Sequence, residues 1–178
     1  MPLEVTASKG DVQIMRMLIE GGTNVMHSTD CFGMNTVLKR SIENGRTEMV
    51  SFLLDIGQVE KNRLDTSYLE LACDGGHQSA VRLLLENGAN VNDCITDSSK
   101  MRKTASLHKA AMQGFAAIAE ILISFGAKVN ATNHQRDIAL HLACSHRPFD
   151  ADTANDRDYE KTAAMLIAIR IRCEHNQC

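Results

Sequence analysis

Between Ser67 and Asn92 the chain reads SYLELACDGGHQSAVRLLLENGANVN, and its apolar residues fall at helical spacing in two blocks. Leu69, Ala72 and Cys73 make the first block and Val81, Leu83, Leu84 and Leu85 the second, with Gly76 after the one and Gly88 after the other. Glycine can take the left-handed conformation that closes a helix. The pattern therefore predicts helix, loop, helix and then a polar extended turn, Ala-Asn-Val-Asn. It returns position for position from Ala105 to Asn130 as ASLHKAAMQGFAAIAEILISFGAKVN. The glycine pair recurs as Gly10 with Gly22, Gly45 with Gly57, Gly76 with Gly88 and Gly114 with Gly126, always at the same i, i+12 spacing. The first glycines thus stand at positions 10, 45, 76 and 114, and repetition at such a period decides the architecture before any local motif does.

The first-helix stretches read MPLEVTASKG (1–10), TVLKRSIENG (36–45), SYLELACDGG (67–76), ASLHKAAMQG (105–114) and IALHLACSHR (138–147). The second-helix ends are best kept in LLENGANVN (84–92) and LISFGAKVN (122–130), and degraded in LIEGGTNVM (18–26) and LLDIGQVEK (53–61). The unit resembles the ankyrin repeat, with its T-P-L-H-x-A-A-x-x-G first helix and its L-L-x-x-G-A-x-V-N ending. That resemblance covers almost the whole chain. It implies an all-α fold, a solenoid of stacked helix-loop-helix units with short hairpin-like turns. The repeats span approximately 1–33, 34–64, 65–102, 103–135 and 136–172, with a C-terminal tail at 173–178.

Several departures are visible. The signature histidine is kept only at His108 and His141, where the resemblance implies hydrogen bonds to turns of adjacent repeats, and the signature proline only at Pro2. The first repeat lacks a preceding hairpin, which reads as a fragment or as a start without a normal cap. The connector between repeats three and four is five residues longer than the standard period and takes in Thr96 to Lys103. In repeat five the glycine position is Arg147, and the second helix resumes at Tyr159 to Ile169 after about eleven inserted residues. A lone copy has too little apolar surface to fold, so neighbours must stack to bury it.

Composition sharpens this reading. Of 178 residues 44% are apolar, yet aromatics are 4% and tryptophan is absent, so the layers must be filled by Ala, Leu, Ile and Cys. A net charge of −3 gives no general grip on nucleic acid or an anionic membrane. No basic and apolar leader opens the chain, and no apolar run approaches the roughly 20 residues of a membrane span. The chain reads as soluble, cytoplasmic or nuclear, and monomeric. Six cysteines are too dilute for a disulfide scaffold, and Cys73 and Cys144 sit in apolar helical patterns, so reduced thiols are expected.

The resemblance implies a protein-interaction module that binds a protein partner through a concave face of first helices and turns. The candidate residues are Arg40, Glu43, Asn44, Leu71, Asp74, Lys109, Met112, Gln113 and Leu142 on the helices, and Phe32, Asn62, Arg63, Asn133 and His134 in the turns. Charges mixed with apolar Leu71, Met112 and Phe32 are the make-up of an interface core with a polar rim, although ordinary solvated surface has the same composition. The alternatives are a substrate-recognition part of a larger protein, such as a ubiquitin-ligase adaptor, a kinase or a channel, and an inhibitor resembling those of Rel-type transcription factors. The resemblance also marks Asn92 and Asn130 as the turn asparagine hydroxylated in many ankyrin proteins, each with a leucine eight residues before it (Leu84, Leu122). The simpler reading is that these asparagines stabilise their turns.

Other chemistry is thin. Cys173, His175 and Cys178 form C-x-H-x-x-C without an evident fourth ligand, so a frayed tail is expected and no metal or cofactor. The acidic stretch FDADTANDRDYE (149–160) lacks the central glycine of a calcium loop, and Lys161 stands where its bidentate Glu would fall. Lys100, Arg102 and Lys103 are too few for a nucleic-acid site. No G-x-S-x-G, P-loop or H-E-x-x-H occurs, so an enzyme is not expected.

Overall fold

A computed structural model describes residues 2–25, 35–57, 66–92, 95–97, 102–145 and 158–176. Phe32, Asn62, Arg63, Lys100, Arg147, most of the acidic insert and Cys178 lie outside the described residues, as do the side chains of Arg102, Lys103, Cys173 and His175. The chain forms two compact units, Met1–Ala89 and Asn90–Cys178.

The first unit holds three helix pairs: α1 (Pro2–Lys9) with α2 (Val12–Glu20), α3 (Thr36–Glu43) with α4 (Thr47–Asp55), and α5 (Thr66–Asp74) with α6 (Gln78–Glu86). First helices pack on first helices, α1 on α3 and α3 on α5, and second on second, α2 on α4 and α4 on α6. Two layers result. The apolar spacing explains which face each helix buries: Met49, Val50, Leu53 and Leu54 in α4, and Ala80, Val81, Leu84 and Leu85 in α6, fall in adjacent pairs one turn apart. Alanines at contact points, Ala7, Ala72 and Ala80, let the helices approach closely, which is how an aromatic-poor sequence fills its core.

Helix starts are set by short polar side chains. Asp11 accepts from the Ile14 N–H at 3.0 Å, and Asn35 accepts from Val37 and Leu38, each at 3.0 Å. Second helices end in paired backbone bonds around a left-handed glycine: Gly88 N–H donates to Leu85 and Ala89 N–H to Leu84, with φ of +95° at Gly88.

In the second unit a short antiparallel pair, β1 (Ile95–Asp97) and β2 (Arg102–Thr104), precedes α7 (Ser106–Gln113), α8 (Ala116–Ser124), α9 (Ala139–Ser145) and α10 (Tyr159–Asn176). Ile95 pairs with Thr104 and Asp97 with Arg102. The long connector therefore forms its own hairpin ladder, a small addition to an otherwise all-α fold. α7 packs on α9, and α10 packs on α7, α8 and α9. As expected, a helix resumes at Tyr159, but it continues to Asn176, through most of the segment read as a tail.

Candidate functional site

The residues proposed for recognition stand on helices whose ends are fastened between repeats, so the fastening comes first. Side chains reach across from one repeat to the backbone of another, and His108 ties α7 to the turn that follows α8. Arg46 Nε donates to the Ser8 carbonyl at 2.9 Å, and His77 Nε2 to the Glu43 carbonyl at 3.1 Å. His108 is buried, its Nδ1 accepting from the Ala105 N–H at 3.2 Å and its Nε2 donating to the Ala131 carbonyl at 3.0 Å. Both ring nitrogens are thereby assigned, and the imidazole is neutral. Burial pushes its pKa below the ordinary histidine value, opposed by backbone hydrogen bonds and the Asp137 carboxylate. Asn92 bridges to the next hairpin, its Nδ2 donating to the Gly126 carbonyl and its Oδ1 accepting from the Lys128 N–H, both at 2.9 Å.

Two of these bridging side chains follow a first glycine, Arg46 after Gly45 and His77 after Gly76, and each lies where a Cβ on a glycine of the preceding repeat would be. A Cβ on Gly10 would meet Arg46 Cδ at 2.8 Å, and one on Gly45 would meet His77 Nδ1 at 2.6 Å. Tyr159 fills the same place over Gly114, where a Cβ would fall 2.9 Å from its ring, and the Asp158 N–H donates to the Gly114 carbonyl at 2.7 Å. Sequence reasoning missed Arg46, His77 and Tyr159. The signal for the first two was a long or ring-bearing residue directly after the first glycine.

The candidate residues divide. In the first unit Arg40 is exposed and pairs with the Glu43 carboxylate at 3.1 Å one turn on, a surface pair of little energetic weight. Asn44 is exposed and donates to the Arg40 carbonyl at 2.8 Å, Leu71 is half-buried, and Asp74 is exposed at the end of α5. In the second unit Lys109, Met112 and Gln113 are half-buried on α7, and His134 is exposed.

Two expectations change. Asn133 is 8% exposed, because its Oδ1 accepts from the Gln135 and Asp137 N–H groups, both at 2.8 Å, and so builds the turn instead of facing outward. Leu142 is 7% exposed, since α9 is packed between α7 and α10. His141 also differs from His108: it is exposed, with Nδ1 3.4 Å from the Asp137 carboxylate. Of the asparagines marked for modification, Asn92 is half-buried in its bridge and Asn130 is exposed.

No group of three or more His, Cys, Asp or Glu among the described residues could hold a metal ion. No described helix is long and apolar enough to cross a membrane. A surface cleft of about 320 Å³ is lined by Lys9, Gly10, Gly45, Arg46, Thr47, Glu48 and Met49.

A family model for ankyrin repeats in three copies matches residues 3–95, just over half the chain. The chain belongs to the ankyrin-repeat family. A second model, for ankyrin repeats in many copies, matches residues 69–123. Across 98% of its length the chain is 26% identical to a transient receptor potential cation channel subfamily A member 1 homolog of Caenorhabditis elegans, of which it covers 14%. It is 29% identical over 81% of its length to the ankyrin repeat and KH domain-containing protein mask-1 of the same organism, covering 5% of it. It is 39% identical over 56% of its length to the human ankyrin repeat and KH domain-containing protein 1, covering 4% of that protein. The chain thus spans only a small part of each of these relatives. Ankyrin repeats are generally protein-interaction modules.

Proposed function

We propose that this ankyrin-repeat chain is a protein-recognition module that binds its partner through first-helix and turn side chains: Arg40, Glu43, Asn44, Leu71 and Asp74 in the first unit, and Lys109, Met112, Gln113 and His134 in the second. One observation carries the reading. The core leucines of the first helices, Leu38, Leu69 and Leu107, are 2% exposed or less, whereas Leu71 and Met112 on the same set of helices keep apolar surface accessible beside charged neighbours. Within each unit, accessible apolar surface on the same helix as polar and charged candidates has the make-up of an interface. The module acts in the cytoplasm or nucleus, as a monomer and without a cofactor.

Affinity capture from a lysate with the intact chain beside a Leu71→Glu, Met112→Glu variant tests this. Loss of specific partners from a variant with unchanged circular dichroism supports the surface, and an identical set of partners refutes it. A second reading, favoured by the alignment of 98% of the chain with a cation channel homolog, is that the chain serves as the recognition segment of a larger protein. Sequencing the transcript in both directions tests it: a further in-frame domain supports the segment reading, and flanking stop codons oppose it.

A further inference from the structure

The glycine register allows equivalent positions of the three helix pairs in the first unit to be compared. Four residues after the first glycine stand Ile14, Met49 and Ala80, and eight residues after it stand Leu18, Leu53 and Leu84. Met49, Ala80, Leu53 and Leu84 are completely buried, whereas Ile14 is 46% exposed and Leu18 is half-buried. Seven residues after the glycine, Phe52 and Leu83 are half-buried, whereas Met17 is 62% exposed.

Residue type does not account for this contrast, because Ile14 and Met17 are as apolar as their counterparts. The following repeat does not account for it either, since α4 already packs on α2 and Ile14 remains exposed. The side that covers these positions is therefore the preceding one. Arg16 of α2 shows the arrangement directly, its guanidinium 5.1 Å from the centre of the Phe52 ring on α4. A repeat that terminates an array presents a polar outer face, and α2 presents Ile14 and Met17 instead.

We infer that the outer face of α2 is a repeat-to-repeat interface, and that its occupant is one further ankyrin helix pair joined in tandem ahead of α1, seated on α2 as α2 is seated on α4. The contact from α2 to α4 to α6 is continuous in kind, and this face presents the same apolar positions to the next place in the series. The chemistry of the occupant follows. It carries an apolar flank that covers Ile14 and Leu18, and, six residues after its own first glycine, a long side chain that lies over Met17 as Arg16 lies over Phe52. This surface is separate from the first-helix candidates, so either reading can fail alone.

The test fuses a consensus ankyrin repeat with a polar outer face in frame ahead of the full chain and compares it with the chain itself. Amide exchange in residues 14–19 is expected to slow by at least about tenfold on fusion, with a rise in the thermal midpoint of this chain's own unfolding. Ile14→Glu with Met17→Glu, at exposed positions, is expected to leave the unfused chain's midpoint unchanged and to abolish the protection in the fusion. Unchanged exchange in the fusion overturns the inference. So does a concentration-dependent dimer of the unfused chain that the same double substitution dissolves, because the occupant is then a second copy.

Discussion

Two glycines beside one imidazole, and a third with open space around it, separate two demands that the repeat makes on its backbone. At Gly57 φ is +65° and a Cβ would meet nothing within 4 Å, so Gly57→Ala carries the cost of left-handed backbone alone, about 1–2 kcal/mol. Gly75 lies outside the left-handed region, but its Cβ would fall 2.6 Å from His77 Nε2. Overpacking of that kind costs about 1–3 kcal/mol. Gly45 combines both, with φ +63° and a Cβ 2.6 Å from His77 Nδ1, so Gly45→Ala is expected to lose about 2–5 kcal/mol. The two contacts fall on different ring atoms, Nδ1 for Gly45 and Nε2 for Gly75. In a His77→Ala background the contacts vanish. Gly45→Ala then falls to the cost of Gly57→Ala, and Gly75→Ala changes sign, gaining about 0.5–1 kcal/mol from alanine's lower backbone entropy. Equilibrium urea unfolding followed by circular dichroism measures the cycle. Coupling below about 0.5 kcal/mol between His77 and either glycine would refute the reasoning, since that is the scatter between independent sites.

Other outcomes follow from buried and bridging polar side chains. His108 has a folded pKa below the unfolded value of about 6.5, so below that pH the unfolded chain binds a proton that the folded chain does not. Stability is therefore expected to fall as pH drops below about 6.5, and thermal midpoints at pH 7.5 and 5.5 should differ less for His108→Gln than for the parent. Ser106 is fully buried with no hydrogen-bond partner for its hydroxyl among the described residues, so Ser106→Ala is expected to raise stability by about 1 kcal/mol in thermal unfolding. Asn92→Ala removes both bonds of the hairpin bridge and is expected to cost about 1–2 kcal/mol; a neutral result in urea unfolding would show that water replaces them.

The helix pairs were legible because a glycine pair at constant spacing and an apolar stripe of fixed period are properties of the chain itself. Burial at the candidate surface was less so. Leu71 and Leu142 stand at the same position before their glycine sites, yet one keeps part of its surface and the other is covered where α9 is packed between α7 and α10. Asn133 read as a turn tip, but a side-chain oxygen that takes two amides of its own turn is held inward. Ile14 and Met49 are equivalent in sequence, and only the presence of a neighbouring helix distinguishes them. His77 and Gly45 belong to successive repeats, so their contact becomes visible only once the period is folded into adjacent layers.

The bonds that fasten one repeat to the next share a property with an evolutionary consequence. Arg46, His77 and Asn92 all reach across to main-chain carbonyls or amides, and Tyr68 does the same from its hydroxyl, which accepts from the Asn35 N–H at 2.6 Å. A main-chain acceptor is the same whatever residue bears it. Each of these bonds therefore requires one suitable side chain and not a matched pair of side chains, with a glycine opposite where Arg46 and His77 are seated, and copies that keep the glycine can duplicate, diverge or be exchanged without two simultaneous side-chain substitutions.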